Sequence, residues 1–439
     1  MKPGTRFTLD GSVRRRGPLL IGGSPLRLVR LGAGGTRLLD RWLAGTPLTE
    51  SPAEARLARR LVDAGLLHPV PPPELTPADV TLVVPVKDNP AGVRRLLAAT
   101  RDLGCHVVVD DGSREPVPGA PVRHERPAGP AAARNAGAGL ATTPLIAFLD
   151  SDTVPEPGWL DALLPQFTDP AVVAVAPRIR SAPGHGAVAR YEADRSSLDL
   201  GGRPAPVRPM SRVSYVPSAA LVVRRRALAE AGGFDVALRF GEDVDLVWRL
   251  LEQGAVRYEP SAVVTHDPRA DLRAWLRQRY EYGTAAAPLA ARHPGRLSCA
   301  RMSAWSAASW ALLVAGRPWA ALALAAGTTA LLPRKLRPRG VPAGEALRLA
   351  ALGHLGAGRL LADATRRAWW PVALLSRRGR RTLLAALLPC LAESLGKPPS
   401  WLALRVADDL TYGAGVWAGC ARHRTLAPLL PQFTEGSLR

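Results

Sequence analysis

Apolar runs alternate with helical patterns along residues 80 to about 295, and this alternation constrains the fold more than any other feature. The apolar runs begin at Thr81, His106 and Leu145, and helical patterns over residues 93–103 and 131–141 separate them. Strands that are apolar along their whole length belong to parallel sheets covered on both faces, and the intervening helices supply that cover. The sequence therefore predicts an α/β domain over residues 78–295.

Each of these apolar runs ends in polar or charged residues. The three ends are Lys87-Asp88-Asn89, Asp110-Asp111-Gly112-Ser113 and Asp150-Ser151-Asp152. Ligands of open α/β sheets bind outside the carboxyl ends of the strands. We therefore expect a binding site at this edge of the sheet.

Asp150 and Asp152 are separated by one residue at the end of the third run. Side chains two apart on a strand point to the same side, so both carboxylates can address one ligand. Two close carboxylates repel each other unless a cation lies beside them, and Mg²⁺ and Mn²⁺ take such oxygen ligands together with phosphate oxygens. The pair indicates a metal that holds a phosphate ester, although acids at a strand end also cap turns.

Two further regions flank this domain, because 439 residues exceed the roughly 250–300 that one hydrophobic core serves. Residues 1–70 predict a small strand-plus-helix module, in which Ser51 is the N-cap of a helix and Glu54 follows three residues later. A proline-rich segment after His68 predicts a linker and a domain boundary near residue 75. Residues 296–439 predict a helical, apolar region.

An apolar stretch over residues 302–333 raises the question of a membrane. It is interrupted only by Arg317 and Pro318, and a basic cluster follows it. Each half falls short of the ~20 residues needed to cross a bilayer. One interpretation is that the two halves are buried core helices. The other is that they form a hairpin at the membrane interface, or a broken span, anchored by tryptophans and by the basic cluster. We expect membrane contact, with the protein peripheral or integral at the cell membrane.

The net charge of +21 comes almost entirely from arginine. Basic composition reports non-specific attraction rather than fold, and the sequence lacks aromatic residues interleaved on a basic stripe, so we expect no nucleic-acid partner. An acidic membrane surface or a phosphate-bearing substrate suits the charge.

Four widely spaced cysteines argue against a disulfide framework and a zinc site. The N-terminus has no signal-peptide pattern, so we expect the active site on the cytoplasmic face of the membrane.

The strand-end motifs, taken together with the segment A-R-N-A-G that contains Arg134 and Asn135, resemble those of the family 2 glycosyltransferases in order, content and spacing. The resemblance covers roughly residues 78–285. It implies a GT-A fold, which is a Rossmann-like domain that binds nucleotide-diphosphate sugars. It also implies a nucleotide-sugar donor and a metal ion, Mg²⁺ or Mn²⁺.

The resemblance implies roles for individual residues on the donor side. Asp110 and Asp111 would read the uracil and ribose, and Asp150 would approach the ribose. Asp152 would ligate the metal, and His266 would complete the metal shell. The other donor-nucleotide residues that it implies are Val84, Pro85, Asp88, Arg134 and Asn135.

Glu242 and Asp243 stand just before an amphipathic helix and match the family's E-D element. In the family, its aspartate is the general base that deprotonates the acceptor hydroxyl, so the resemblance makes Asp243 the catalytic residue. Glu242, Arg279 and Tyr280 match groups near the acceptor and the leaving diphosphate. Acids in the first turn of a helix also complement its dipole, which is the structural alternative.

Two segments of the flanking regions, residues 20–31 (L-I-G-G-S-P-L-R-L-V-R-L) and residues 408–420 (D-D-L-T-Y-G-A-G-V-W-A-G-C), resemble one subgroup. This subgroup consists of the glycosyltransferases of mycofactocin maturation, which extend a peptide-derived redox cofactor with glucose units. This implies inverting transfer of a hexose, namely glucose from UDP-glucose, to (pre)mycofactocin, building an oligosaccharide. The N-terminal module resembles winged-helix peptide-recognition domains, which implies a precursor-peptide partner. The alternatives are a family 2 transferase acting on a lipid-linked or cell-wall glycan, and a non-catalytic, basic, membrane-associated binding protein.

Overall fold

The computed structural model describes residues 1–269 and 271–434. The chain forms two compact units, Met1–Ala270 and Asp271–Arg439. The domain boundaries near residues 75 and 295, which the sequence predicts from composition, stay predictions.

A small α+β module opens the first unit. Its elements are β1 (Arg6–Leu9), β2 (Arg14–Arg16), β3 (Leu19–Gly22), β4 (Arg27–Arg30), α1 (Ala33–Leu43), α2 (Pro52–Asp63) and β5 (Leu67–Val70). β1 pairs antiparallel with β5, and β2, β3 and β4 form an antiparallel sheet. Ser51 caps α2 as predicted, since its hydroxyl accepts from the amide of Glu54. Leu20, Leu39 and Trp42 are fully buried in the core of this module.

An α/β domain follows, as the sequence predicts. Its elements are β6 (Val80–Val86), α3 (Pro90–Ala99), β7 (Cys105–Asp110), β8 (Val122–Arg123), α4 (Pro130–Gly139), β9 (Leu145–Leu149), β10 (Thr153–Pro155), α5 (Trp159–Leu163), β11 (Val172–Ser181), α6 (Gly186–Arg195), β12 (Ala205–Pro206), β13 (Ala220–Arg224), α7 (Arg225–Glu230), α8 (Glu242–Leu250) and β14 (Ala255–His266). These strands form one sheet in the order β10-β14-β11-β13-β9-β6-β7-β8, with β12 paired to β14. Leu82, Val84 and Phe148 are fully buried, which confirms that the apolar runs are covered on both faces.

The sheet is mixed rather than wholly parallel. β6 pairs parallel with β7 and with β9, so the three runs that predict the fold do lie parallel. β13 lies between β9 and β11 and is antiparallel to both. An apolar run indicates that a strand is buried but not which way it points, so the pattern could not predict this reversal. The three polar strand ends still meet at one edge of the sheet.

Ion pairs attach the N-terminal module to the α/β domain within the first unit. Asp169 lies almost fully buried between two arginines, Arg59 of α2 at 2.6 Å and Arg257 of β14 at 3.0 Å. The side-chain amide of Gln166 also donates to the carbonyl of Pro69 at 3.2 Å. Because a buried carboxylate is costly without such partners, these contacts hold the module against the domain.

The second unit is mostly helical. Its elements are α9 (Leu272–Thr284), α10 (Ala286–Arg292), β15 (Arg301–Ser303), α11 (Ala304–Val314), α12 (Pro318–Leu336), α13 (Ala343–Arg367), α14 (Trp370–Ala373), α15 (Arg377–Ala385), α16 (Leu388–Glu393), α17 (Pro399–His423) and β16 (Gln432–Thr434). Within residues 1–269 and 271–434, no helix combines the length and the apolar character that a membrane span requires.

Glycines bring α9 and α17 into close contact. A Cβ atom added at Gly415 would lie 2.0 Å from the carbonyl oxygen of Tyr280, and one at Gly283 would lie 2.1 Å from that of Tyr412. Real Cβ atoms do not approach an oxygen this closely, so both positions need glycine. The glycine-rich segment after Asp408, which carried part of the subgroup resemblance, therefore has a packing role.

Candidate active site

A buried arginine connects two parts of the candidate site. Arg134, on α4, donates to Asp150 Oδ1 at 2.6 Å and to Glu242 Oε1 at 3.0 Å, and its guanidinium lies 5.4 Å from the ring centroid of Phe234. Although burial favours deprotonation, the two carboxylates raise the pKa of Arg134 above its ordinary value. Asp150 follows β9 and Glu242 begins α8, so one cation holds the donor-side acid and the E-D element together.

Asp243 lies beside this cluster at the start of α8. Gly241 immediately precedes the helix with a left-handed φ of 81°, a conformation that costs glycine little. The backbone amide of Val244 donates to Asp243 Oδ1 at 2.8 Å, which fixes the direction of the carboxylate. Burial raises the pKa of Asp243, and this outweighs the lowering by the Val244 amide and by Arg134. A carboxylate with a raised pKa is a better proton acceptor than an ordinary aspartate.

Glu242 also has a perturbed acidity. Burial, and then the charge of Asp243, raise the pKa of Glu242 to about 7, against the opposing effect of Arg134. Because the folded-state pKa lies above the ordinary value of 4.5, folding favours the protonated form. Glu242 therefore contributes most to stability below about pH 4.5, and this contribution is lost as the pH rises through about 7.

The Glu242→Gln variant should remove this pH dependence. We expect the difference in thermal midpoint, variant minus parent, to increase from about pH 5 to about pH 8. The increase corresponds to about 3 kcal/mol in the free energy of unfolding. Glutamine keeps an oxygen for Arg134 but cannot ionise, so burial no longer opposes a charge. Thermal melts of both proteins across this range measure the difference. A difference that stays constant with pH would contradict the raised pKa.

The predicted metal ligands lie next to each other. Pairing of β10 with β14 sets Thr153 opposite His266, and Asp152 Oδ2 lies 3.5 Å from His266 Nε2. Burial is the main cause that raises the pKa of Asp152; the charge of Asp150 adds to it, and His266 opposes it. Within the described residues, no three His, Cys, Asp or Glu side chains form a group that could hold a metal.

A basic residue that the motif comparison did not identify lies beside Asp152. Arg269 Nη2 lies 3.9 Å from Asp152 Oδ2, and its side chain is half exposed. Arg269 follows His266 by three residues in the sequence. That spacing alone could have predicted that Arg269 lies near the same strand end.

Asp110 and Asp111 are engaged by the protein itself. Asp110 is fully buried and accepts from the amides of Ser113 and Val117 and from Arg123. Despite burial, these donors lower its pKa. The carboxylate of Asp111 accepts from the amides of Ala128 and Gly129 at 2.8 Å each, and Asp111 Oδ1 lies 2.7 Å from His124 Nδ1. Their contacts with uracil and ribose stay predictions, and His124 is a neighbour that the sequence did not indicate.

The remaining predicted donor residues lie around the same strand ends. Val84 is fully buried and Pro85 is partly exposed on β6. Asp88 has a left-handed φ of 55°, and its carboxylate accepts from the amide of Arg114 at 2.8 Å. Asn135 exchanges two hydrogen bonds with the backbone of Phe234, at 2.7 and 2.8 Å. The side-chain amide of Asn135 therefore holds the loop before the E-D element.

Arg279 and Tyr280 belong to the second unit. Arg279 on α9 is almost fully buried, with its Nε 3.5 Å from Asp408 Oδ1 and its guanidinium 5.2 Å from the ring centroid of Trp275. Tyr280 is exposed. The predicted contact of both residues with a leaving diphosphate stays a prediction.

Comparisons with known proteins identify the family of this chain. A model described as glycosyl transferase family 2 matches residues 81–230. The chain is 44% identical to the pre-mycofactocin glycosyltransferase of Mycobacterium tuberculosis, over 95% of each chain. The chain belongs to glycosyltransferase family 2. As a glycosyltransferase it is an enzyme that moves a sugar from a nucleotide-sugar donor to an acceptor, which removes the alternative of a non-catalytic binding protein.

A more distant relative and a solved structure match parts of this glycosyltransferase. It is 30% identical to the succinoglycan biosynthesis protein ExoU of Rhizobium meliloti, over 42% of this chain and 59% of that protein. It also matches a mannosyltransferase from Pyrobaculum calidifontis, solved with GDP-mannose and Mn²⁺, at 20% identity and a TM-score of 0.37. That match covers 65% of this chain and 90% of the other.

Proposed function

We propose that this glycosyltransferase is metal-dependent and inverting, and that it moves glucose from UDP-glucose to a hydroxyl of (pre)mycofactocin, adding units to build an oligosaccharide. The observation that carries this proposal is the 44% identity to the pre-mycofactocin glycosyltransferase of Mycobacterium tuberculosis over 95% of both chains. A similarity that includes both flanks of the family 2 domain supports a common acceptor as well as a common reaction.

The chemistry assigned to the acceptor side uses Asp243. The acceptor hydroxyl oxygen attacks the anomeric carbon, the bond from that carbon to the diphosphate oxygen breaks, and the hydroxyl proton passes to the carboxylate of Asp243. The raised pKa of Asp243 and the hydrogen bond that orients it support this role. Attack opposite to the departing diphosphate inverts the anomeric centre.

Asp152 and His266 fit a hard divalent cation, Mg²⁺ or Mn²⁺. The raised pKa of Asp152 reflects a buried carboxylate without enough positive charge, and His266 is adjacent. Two protein ligands suit a metal that takes its other ligands from a diphosphate and water. Such an ion would stabilise negative charge on the leaving diphosphate. Arg269, next to Asp152, is positioned to add to this stabilisation from the protein side.

A precursor peptide is a further partner that we propose for the N-terminal module. The support is its open antiparallel sheet of β2, β3 and β4, since outer strands can pair with an extended peptide. Peptide contact is separate from sugar transfer, and deletion of the module tests it by its effect on the KM of a peptide acceptor.

The proposed activity is tested by incubating the protein with a panel of nucleotide sugars, Mg²⁺ or Mn²⁺, and peptide-derived acceptors before and after maturation. Mass spectrometry should show repeated hexose additions from UDP-glucose to the matured acceptor. Transfer only to a lipid-linked glycan would favour the second candidate, for which the exposed leucines of the second unit give some support. Release of free glucose without any acceptor product would contradict transfer to either of these two acceptors.

The metal role of Asp152 has its own test. Asp152→Ala should weaken Mn²⁺-dependent donor binding about 100-fold or more, since even indirect metal contacts cost 10–100-fold. Isothermal titration with UDP-glucose, with and without Mn²⁺, measures this. The exposed Asp102 offers a control of the same type, and Asp102→Ala should bind as the parent does. Equal affinities for Asp152→Ala and the parent would remove Asp152 from the metal shell.

A further inference from the structure

The helix α11 in the second unit has its polar and apolar sides reversed. Its buried residues are two serines, Ser306 and Ser309. Trp305, at 63% exposure, and Leu313 and Val314 are on the outside. A helix that faces water buries its apolar side and exposes its polar side. The reversal indicates that the outer side of α11 faces an apolar medium.

The next helix, α12, shows the same exposure along its whole length. Of its 19 residues only Ala321 and Leu336 are buried. Its exposed positions recur at helical spacing and are apolar, from Trp319, at 81% exposure, through Leu322 to Leu331. α11 and α12 pack against each other. We refer to the outer residues of this helix pair, namely Trp305, Leu313, Val314, Trp319, Leu322 and Leu331, as the apolar stripe.

The third helix of this group extends the pattern. α13 packs against both α11 and α12. It buries Glu345, Thr365 and Arg366, whereas Leu352 and Leu355 are exposed. Arg366 is buried together with its ion-pair partner Asp409, 2.9 Å away, so the exposed leucines and not the buried charge carry the pattern. Three successive helices therefore expose large apolar side chains, which sets this group apart from scattered surface leucines.

Basic residues surround the apolar stripe. Arg317 lies at the turn between α11 and α12, and the exposed Arg334 and Arg337 lie at the end of α12. Between residues 296 and 409 the sequence has seventeen arginines and lysines but five aspartates and glutamates. The exposed basic residues of this region, such as Arg334 and Arg337, attract anions to the surface around the stripe.

We propose that the apolar stripe lies in the plane of an anionic phospholipid bilayer, with its basic residues at the lipid phosphates. Tryptophan favours the boundary between headgroups and acyl chains, and both tryptophans of the stripe, Trp305 and Trp319, are exposed. In-plane docking suits amphipathic helices that are too short or too polar to span, and it needs both an apolar side and cationic neighbours.

Charge separates this occupant from a second copy of the chain. A symmetric dimer through the stripe would bring the same basic residues of both copies together, because each patch in such an interface faces its own copy. The region has five acids for its seventeen basic residues, and Asp409 is already paired with Arg366 and Arg405, so few carboxylates could neutralise them. An anionic bilayer supplies both the apolar layer and the missing negative charge.

The test is flotation of the full chain, synthesised in a cell-free system with vesicles present. Vesicles of phosphatidylcholine alone are compared with vesicles of equal parts phosphatidylcholine and phosphatidylglycerol. The parent protein should float with the anionic vesicles and much less with the neutral ones. The double change Arg334→Glu with Arg337→Glu should lower the bound fraction on anionic vesicles about tenfold or more, and Trp305→Ser with Trp319→Ser should lower it on both.

Two exposed arginines of the first unit provide the matched control. Arg101→Glu with Arg226→Glu changes the net charge by the same amount and should float as the parent does. The proposal is overturned if the parent does not float, if the control variant loses as much binding as the Arg334 variant, or if the tryptophan variant floats normally. Loss of a dimer in the tryptophan variant without any flotation of the parent would assign the stripe to a second copy. Sugar transfer to a soluble acceptor is measured separately, so a failure of the proposed enzymatic function would not change the flotation result.

Discussion

The Asp243→Asn variant is expected to bind the nucleotide sugar as the parent does and to lose sugar transfer, with kcat lower by ~10²–10⁴-fold. Asparagine can keep the hydrogen bond from the Val244 amide, so the start of α8 should be unchanged. What it removes is the group that accepts the proton of the acceptor hydroxyl. Release of the nucleotide diphosphate measures kcat, and isothermal titration measures donor binding.

The pH profile gives an independent check on Asp243. A base must be deprotonated to act, and burial raises the pKa of Asp243. The rate of the parent enzyme should therefore fall on acidification at a pH above the ordinary range of aspartate. Asp245, two residues on and paired with Arg249 at 2.7 Å, provides a matched control on the same helix. Asp245→Asn should retain kcat within a few-fold, whereas Asp243→Asn turnover within tenfold of the parent would rule out the base assignment.

The Arg134→Met variant is expected to be strongly destabilised and inactive. Methionine fills much of the volume but leaves Asp150 and Glu242 without their shared cation. Removing one partner of a buried ion pair typically costs about 3–5 kcal/mol, and here two carboxylates lose a partner. A large drop in the thermal midpoint should result. For comparison, Arg226→Met breaks an exposed pair with Glu230 and should leave the thermal midpoint nearly unchanged.

A second change distinguishes lost charge compensation from lost packing. Glu242→Gln in the Arg134→Met background removes one uncompensated carboxylate, so it should recover a clear part of the lost thermal midpoint. If the variants only disturbed packing, the two effects would add. Additive effects in this double-mutant cycle would therefore contradict the bridging role of Arg134.

The α/β domain and the order of its motifs could be predicted because they depend on local patterns. The apolar runs at Thr81, His106 and Leu145 each form a buried strand, and the spacing of Asp150 and Asp152 can be seen in the chain itself. The capping role of Ser51 was predictable for the same reason. Each of these features is decided within a few residues.

The partners of the site residues could not be predicted, because they depend on contacts across the fold. Arg134 meets Glu242, which lies 108 residues further along the chain, and no local pattern indicates that pairing. The family resemblance placed Arg134 at the nucleotide, whereas its guanidinium is engaged with two carboxylates. Likewise, nothing near Asn135 in the sequence shows that its amide holds the backbone of Phe234.

The contact between α9 and α17 limits how this enzyme can change or be shortened. Gly283 and Gly415 lie where each helix nearly touches the backbone of the other, so a side chain at either position would force the two helices apart. A protein cut near residue 295 would keep α9 but lose its packing partner. A division after residue 270 keeps α9 and α17 together, so it is the better design for producing either unit separately.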